Sequence, residues 1–280
     1  MSFEPQPDVQ EGIEYWNTQP ASLNGVLGGY GSGSLPRIDA LGSRLFLLGL
    51  YPQLSTVPSA LRPLDVPEVL PRTRALDVGA GIGRVTADVL LHLVSDVVLL
   101  EPVESFVQQA LANAQKSAAE RASDADKVSW PGLSNHSKSV TILQGTLQDF
   151  DPRNPLSSKF LDRIGWQAPT VVGGDPGFDV IWCQWCLGHL SDVDLIAFFK
   201  RSHEALKKHK RSLIVVKENI CSDGADGMAQ EIFDEQDSSL TRSDLAWKAV
   251  FTAAGLKLVQ EKIQEGLPEG LFVVKMYALR

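Results

Sequence analysis

The chain has 280 residues, 44% of them hydrophobic, and a net charge of −8 at pH 7. This length allows one large domain or two small ones, and the negative charge argues against non-specific binding to nucleic acid, which depends on a basic surface. No apolar run reaches the roughly 18 residues of a membrane span, and the N-terminus lacks the basic and apolar regions of a signal peptide. We therefore expect neither a membrane nor a nucleic acid as a direct partner, and no obligate protein partner is evident.

The N-terminal part of the chain differs in composition from the rest. Residues 1–12 are polar and contain proline, so we expect a disordered tail. Residues 13–60 are expected to form a helical cover, or lid. It contains a glycine-rich loop with Leu27, followed by a predicted helix over 39–50 that has Asp39 as its N-cap.

From Arg74 onwards, apolar runs alternate with helical patterns. Strands are predicted at 74–78, 97–101, 139–144, 178–183, 212–217, 256–263 and 271–279. Helices are predicted at 84–94, 103–120, 192–208 and 240–254. The alternation predicts an α/β fold with a parallel sheet and helices on both faces, and the short last turn allows an antiparallel C-terminal hairpin. We expect a single domain over 13–280, with surface insertions at 117–138 and 151–176.

The most informative segment is ALDVGAGIGR, residues 75–84. A buried strand ends here in glycines, which allow positive φ and close approach of a ligand, and a helix follows. Free N–H groups at a helix N-terminus favour an anionic ligand group. The segment alone also fits a tight turn without a ligand.

The spacing of the glycines points to one class of ligand. A dinucleotide site needs G-x-G-x-x-G, but Arg84 stands where its third glycine would be, so an NAD-dependent dehydrogenase is disfavoured. G-x-G-x-G after an acid is the pattern of S-adenosylmethionine (SAM) methyltransferases. Glu101 ends the second strand, where a carboxylate can accept hydrogen bonds from ribose hydroxyls.

Polar and aromatic side chains follow the other strand ends, where an open α/β sheet binds ligands. Leu147 and Gln148 follow the third strand and can flank a base ring. From the residues alone, Trp185 fits core packing as well as an aromatic wall, and His189 fits a structural role. The acids at 234–239 fit a solvated loop or a helix cap equally well.

The three cysteines, Cys183, Cys186 and Cys221, suit a reducing compartment rather than a disulfide framework. Cys183 and Cys186 have C-x-x-C spacing, but no second half-site completes a zinc site, so we expect buried thiols and no metal. The expected location is the cytoplasm, the nucleus or both.

Several motifs together resemble the eukaryotic alpha-N-terminal protein methyltransferases, which methylate the α-amine of proteins that begin Xaa-Pro-Lys. The resemblance runs from about residue 13 to the C-terminus. It is carried by Tyr15-Trp16, LGGYG at 27–31, DVGAGIGR at 77–84, LQDF at 147–150, IWCQWCLGH at 181–189, KEN at 217–219, DSS at 237–239 and the terminal YALR. The fold that it implies is the Rossmann-like class I SAM methyltransferase, with a seven-stranded, mostly parallel sheet.

The resemblance also implies roles for the cofactor-binding residues. Gly79 and Arg84 would hold the methionine carboxylate end of SAM, and Glu101 would take the ribose hydroxyls. Gly81 and Pro102 would also contact the cofactor. Leu147 and Gln148 would contact the adenine. Gln184 would contact the methionine portion.

For the peptide, the resemblance implies that Trp185 stacks on the proline and Asn219 binds the first carbonyl. Asp234 and Ser239 would meet the lysine ammonium, and Leu27 would cover the peptide. His189 and Asp237 would surround the α-amine, with one of them accepting its proton. Phe272 departs from the family pattern, where we expect a tyrosine whose hydroxyl holds the peptide backbone.

Two other functions share this scaffold. A methyltransferase for a small molecule or another amine would show no preference for an Xaa-Pro-Lys peptide. A non-catalytic subunit with the same fold is disfavoured by the intact glycine loop and Glu101.

Overall fold

The computed structural model describes residues 5–55, 72–119, 130–167 and 177–280. Ten strands are present in this part of the chain: β1 Arg74–Val78, β2 Asp96–Glu101, β3 Ser139–Gln144, β4 Lys159–Gly165, β5 Val180–Gln184, β6 Leu213–Ile220, β7 Glu231–Asp234, β8 Ser239–Arg242, β9 Leu258–Ile263 and β10 Val273–Leu279. The α-helices are α1 Val9–Thr18, α2 Leu23–Val26, α3 Leu35–Leu50, α4 Leu91–Leu93, α5 Glu104–Ala119, α6 Asp192–Glu204 and α7 Asp244–Ala253. A π-helical turn, Thr86–Leu90, precedes α4, and short 3₁₀ turns lie at Pro52–Leu54, Pro155–Ser157 and Leu187–His189.

Eight of the strands form one sheet in the order β4-β3-β2-β1-β5-β6-β10-β9. Strands β3, β2, β1, β5 and β6 are parallel, whereas β10 runs antiparallel to both β6 and β9. In the central register, Leu76 pairs with Val98 on one side and Ile181 on the other. The predicted Rossmann-like class I fold with an antiparallel C-terminal hairpin is confirmed.

Strand β4 makes the sheet eight-stranded rather than seven-stranded. It arises within 151–176, which we expected to be only a surface insertion, and pairs antiparallel with β3. Its polar residues find partners on β3: the Arg163 guanidinium donates to the hydroxyls of Thr141 and Ser139, both at 2.8 Å. Polar residues that form such cross-strand bonds suit a sheet edge, and the apolar alternation that signals a strand is weak here.

Alternation along the strands divides the core into two layers. On one face, α3 and α5 pack with Leu47 and Val107 against side chains such as Trp182 of β5. On the other face, α6 and α7 contribute Phe199 and Phe251. With both faces of the sheet covered, the carboxyl ends of the parallel strands are the open edge at which a ligand site can form.

Two helices begin at residues other than the predicted ones. The helix predicted from Asp39 begins at Leu35, with Pro36 in its first turn, so Asp39 lies inside the helix and is not its N-cap. The helix predicted over 240–254 begins at Asp244 after strand β8, and its cap is Ser243, whose hydroxyl accepts from the Ala246 N–H.

The N-terminal segment is ordered earlier than predicted. Residues 9–12, placed in the disordered tail, form the first turn of α1, which Asp8 caps by accepting from the N–H groups of Gln10 and Glu11. Four other parts of the predicted tail, cover and insertions lie outside the described residues: 1–4, 56–60, 120–129 and 168–176. Within the described part of the chain, no helix combines the length and the apolar character needed to cross a membrane.

Candidate active site

The glycine loop lies between β1 and the π-helical turn, at the carboxyl edge of the sheet. Gly79, Gly81 and Gly83 all have positive φ, from 57° to 83°. A Cβ on Gly79 would lie 2.3 Å from the Cys186 Cβ, and one on Gly83 would lie 2.3 Å from the Trp130 ring. Positive φ and the lack of space both require glycine at these two positions.

The Glu101 carboxylate holds the next strand end against this loop. It is almost fully buried and accepts from the Gly81 N–H at 2.7 Å and from the Val103 N–H at 2.9 Å. Burial raises its pKa to about 7, although these two hydrogen bonds act in the opposite direction. Each oxygen retains a lone pair, so the group can accept hydrogen bonds from a diol in the adjoining cavity.

This cavity, the cofactor cavity, extends along the carboxyl ends of the central strands. All eight residues predicted to bind the cofactor line it: Gly79, Gly81, Arg84, Glu101, Pro102, Leu147, Gln148 and Gln184. Val103 and Phe106 add apolar surface, and Trp16 of α1 closes one side. The lining therefore offers an acid for hydroxyls, a guanidinium for a carboxylate and apolar walls for a flat ring. Together these groups fit SAM.

Arg84 is held by a residue that the sequence analysis misassigned. Its Nη1 lies 2.6 Å from Oδ2 of Asp39, whose side chain is fully buried. Asp39 also accepts from the Gln184 amide at 2.9 Å and 3.0 Å and pairs with the Lys217 ammonium at 2.6 Å. Burial alone would raise the pKa of Asp39, but Arg84 and Lys217 hold it below its ordinary value. Asp39 thus links helix α3 to two residues of the cofactor cavity.

A second cavity, the peptide cavity, adjoins the first. Of the residues predicted to contact the peptide or its amine, six line it: Leu27, Trp185, His189, Asn219, Asp237 and Ser239. Both cavities are lined by Trp185 and His189, so these side chains stand at the junction between them. Phe272, the departure from the family pattern, also lines the peptide cavity.

Asp234 is the one predicted substrate residue outside the cavity lining. It is exposed at the end of β7, and its Oδ1 accepts from the Gln236 N–H at 2.8 Å. In the β7–β8 hairpin it pairs directly with Ser239, which does line the cavity. Its carboxylate therefore lies at the rim, in contact with solvent.

The loop that carries Trp185 is fixed by a buried acid. Glu218 accepts from the N–H groups of Cys186 and Leu187, both at 3.0 Å, and burial raises its pKa to about 7. Trp185 itself has a φ of 54°, unusual for a residue with a side chain. Such strain is maintained only where surrounding contacts determine the conformation, and here they orient the indole at the junction.

Helix α1 supplies a contact to the catalytic candidates that the sequence analysis did not foresee. The Trp16 indole N–H donates to Nε2 of His189 at 3.0 Å, and a Cβ on Gly12 would lie 3.0 Å from Nδ1 of the same ring. Burial lowers the pKa of His189, although the Asp237 carboxylate acts in the opposite direction. His189 is therefore neutral at pH 7, with its Nε2 lone pair already engaged.

Asp237 stands in the turn of the β7–β8 hairpin and is partly exposed. Its Oδ1 accepts from the Ser239 hydroxyl at 2.6 Å. The neighbouring Ser238 has a φ of 52°, and its hydroxyl accepts from the Asp8 N–H at 2.9 Å, which ties the start of the chain to this turn. The N-terminal segment and the hairpin thus close the site together.

The sheet, the glycine loop and the buried acid at the second strand end define a class I SAM-dependent methyltransferase. Over residues 5–280 the chain matches the sequence model of the family described as AdoMet-dependent proline di-methyltransferase. The chain belongs to this family, and its cofactor is SAM.

Its relatives include eukaryotic proteins that are named as N-terminal methyltransferases. The chain is 35% identical over 277 residues to alpha N-terminal protein methyltransferase 1 of Schizosaccharomyces pombe. The match covers 99% of this chain and 98% of the relative. It is 31% identical to N-terminal Xaa-Pro-Lys N-methyltransferase 1 of Homo sapiens, over 95% of this chain and 92% of the relative. A solved structure of a SAM-dependent methyltransferase from Leishmania major matches with a TM-score of 0.66 and 30% identity, covering 97% of this chain and 82% of that one.

Proposed function

We propose that this enzyme transfers methyl groups from SAM to the α-amine of protein N-termini that begin Xaa-Pro-Lys. The observation that carries the proposal is the peptide cavity, which meets the cofactor cavity at Trp185 and His189. The names of the relatives, which refer to protein N-termini and to Xaa-Pro-Lys, support the same substrate class.

Within the cofactor cavity, Glu101 would accept from the ribose hydroxyls and Arg84 would bind the carboxylate. Gly79 and Gly81 would let the backbone approach the methionine portion, beside the Gln184 amide. Adenine would lie against Pro102, Leu147 and Gln148. When bound there, SAM supplies a methyl group activated by its positively charged sulfur.

The peptide cavity offers a complementary surface for each part of the N-terminus. The Trp185 indole would stack on the proline ring, and the Asn219 amide would donate to the first carbonyl. Asp234 at the rim and Ser239 beside it would meet the lysine ammonium through charge-assisted hydrogen bonds. Leu27, on the N-terminal cover, would close over the chain.

Of the two catalytic candidates, Asp237 is the better proton acceptor. His189 Nε2 already accepts from Trp16, so this nitrogen cannot take a proton from the substrate in the present geometry. We therefore assign Asp237 to accept the proton of the α-ammonium, directly or through water, and His189 to form part of the wall around the amine. A carboxylate beside the nitrogen also stabilises the positive charge that moves there during transfer.

The chemistry of the amine supports an N-terminal substrate. A free α-amine has a pKa near 7.7–8.0, so roughly 10–20% of it is neutral at pH 7, whereas a lysine with a pKa of about 10.4 is almost entirely protonated. One acid in a partly exposed turn can therefore serve as the base for an α-amine, including in later rounds on the methylated amine. A lysine would need much stronger help.

The three cysteines are free thiols, which supports the expected cytoplasmic or nuclear location.

The substrate proposal is tested by mass spectrometry of a Ser-Pro-Lys peptide incubated with the protein and SAM, beside the same peptide acetylated at its N-terminus. We expect mass gains in steps of one methyl on the free peptide and none on the acetylated copy. If neither peptide gains mass while SAM binding is intact, a small-molecule amine becomes the better substrate.

A further inference from the structure

A buried ionic cluster lies directly behind the cofactor cavity. Its members are Arg84, Asp39 and Lys217, and the side chains of Asp39 and Lys217 are fully buried. Asp39 stands between the two cations, 2.6 Å from each. Buried charges carry a large desolvation cost, so an unequal number of cations and anions requires an explanation.

Lys217 is placed as an ammonium ion. Besides Asp39, its Nζ lies 2.9 Å from the Ser43 hydroxyl and 2.9 Å from Oε1 of Gln264, both able to accept. The orientation of the Gln264 amide follows from its own donation to the Glu265 carbonyl at 2.9 Å. The Asp39 backbone carbonyl lies 3.2 Å away as a fourth acceptor, and an ammonium, which has three donors and no acceptor, suits surroundings made only of acceptors.

The charges in the cluster do not cancel. Within the described part of the chain, Asp39 is the one carboxylate in ion-pair contact with Arg84 or Lys217. Counted over the three ion-paired side chains, two cations and one anion leave a charge of +1. Asp77 and Asp88 also interact electrostatically with Arg84 but form no ion pair with it. The Asp77 carboxyl accepts from the Thr86 hydroxyl at 2.6 Å, and burial raises the pKa of both acids, that of Asp77 to about 7.

Of the three side chains in the cluster, Arg84 is the one that lines the cofactor cavity. Arg84 and Gln184 line the cofactor cavity, whereas Asp39 and Lys217 lie behind them. If Asp39 faced Arg84 alone, the pair would be neutral and its attraction for an anion weak. Because Lys217 shares the carboxylate, the guanidinium keeps an unbalanced positive charge that faces the cavity.

We propose that Lys217 is a positioning residue for the cofactor: by sharing Asp39, it leaves Arg84 the charge that selects the carboxylate of SAM. This inference rests on the proposed placement of that carboxylate at Arg84. It assigns a function to the lysine of the KEN motif, which lies outside both cavities. It also gives the buried Asp39 of the cover helix a role in cofactor binding.

The test measures binding without any peptide, by titration calorimetry with two ligands. S-adenosylhomocysteine carries the amino-acid carboxylate, and 5′-methylthioadenosine keeps the adenosine and the sulfur but has no amino-acid group. The variants are Lys217→Met, which makes the cluster neutral, and the double variant Asp39→Asn/Lys217→Met, which restores +1 on Arg84 alone. Methionine approximates the lysine stem, and neither variant leaves a new unpaired carboxylate.

We expect Lys217→Met to weaken S-adenosylhomocysteine binding by about tenfold and methylthioadenosine binding by less than about twofold. The double variant should recover most of the lost preference. Equal losses for both ligands, or no recovery in the double variant, would overturn the inference and leave Lys217 with a structural role. If the unaltered protein already binds both ligands equally, the placement of the carboxylate at Arg84 fails instead.

Discussion

The two cavities are built from different parts of the molecule. The cofactor cavity is formed mainly at the ends of β1, β2, β3 and β5, where hydrogen-bonded strands fix the backbone. The peptide cavity draws on elements outside the central sheet: Leu27 from the cover, Asp237 from the β7–β8 turn and Phe272 from the segment before β10. In the proposed function, the sheet would supply most of the contacts to SAM, and the peripheral elements would supply much of the choice of substrate.

This difference predicts that substitutions in the two cavities change different measured constants. Changes in the cofactor cavity should alter ligand binding in the absence of peptide. Changes in the peptide cavity should leave that binding intact and alter either turnover or the Michaelis constant for the peptide.

The largest effect is expected for Asp237→Asn, which keeps the shape of the side chain but removes the proton acceptor. We expect kcat to fall by about 10²-fold or more, with little change in S-adenosylhomocysteine affinity. Steady-state kinetics and calorimetry on the same preparation check both parts. Unchanged turnover would show that Asp237 is not the proton acceptor.

The next effect tests the indole at the junction. Trp185→Leu should raise the KM for a Ser-Pro-Lys peptide by about tenfold, because the stacking surface for proline is lost. The KM for a Ser-Ala-Lys peptide should change much less, and Trp185→Phe should retain part of the preference for proline. Equal increases for both peptides would place the role of Trp185 in the fold of the loop.

A smaller effect is expected in the cofactor cavity, where the affinity for the ligand should depend on pH. The pKa of Glu101 is raised to about 7, and ribose hydroxyls favour its ionised form. S-adenosylhomocysteine affinity should therefore rise by roughly threefold between pH 6 and pH 8, measured by calorimetry, and the rise should be absent in Glu101→Gln. An identical pH profile in the variant would contradict this assignment.

The same raised pKa has a consequence for stability. Folding favours the protonated Glu101 carboxyl, so its contribution to the free energy of unfolding is present below its unfolded pKa, about 4.3, and is lost as pH rises through about 7. In thermal melts of the protein without cofactor, Glu101→Gln should lose less stability than the unaltered protein over this pH range. If the melting temperatures of the two proteins change equally with pH, Glu101 does not make this contribution to stability.

The smallest effect is expected at the rim of the peptide cavity. Asp234 is exposed, and exposed ion pairs contribute about 0.2–1 kcal/mol, so Asp234→Asn should raise the KM for Ser-Pro-Lys by about twofold. The increase should disappear in high salt and for a Ser-Pro-Gln peptide. An equal increase for Ser-Pro-Gln would show that Asp234 does not recognise the lysine.

The two cavities also differed in how far the sequence predicted them. All eight predicted cofactor residues line one cavity, because each lies at the end of an apolar strand or within six residues after it, and parallel strands share one edge. Positions after strand ends also pointed to Trp185, His189 and Asn219, but the roles of the peptide residues could be assigned only through the resemblance to a family. Leu27 and Asp237 depend on the cover and on a turn. A local pattern does not determine how such elements pack.

The wrong or missing predictions also concern residues whose positions depend on partners far away in the chain or on another strand. Asp39 has the residue type of an N-cap, and the pairing that explains it, with Arg84 and Lys217, joins positions 45 and 178 residues away. The Trp16–His189 contact spans 173 residues and could not be read from either motif alone. Strand β4 was missed because its polar residues are satisfied by β3 rather than by water.

The most direct measurement of the central claim is to locate the methyl group within one peptide that offers two amines. A Ser-Pro-Lys peptide would be methylated with isotopically labelled SAM and fragmented by tandem mass spectrometry. The arrangement of the two cavities predicts that all label lies on the fragments containing the α-amine, with the lysine side chain unmodified. Label on the lysine, or label on both amines, would contradict the account.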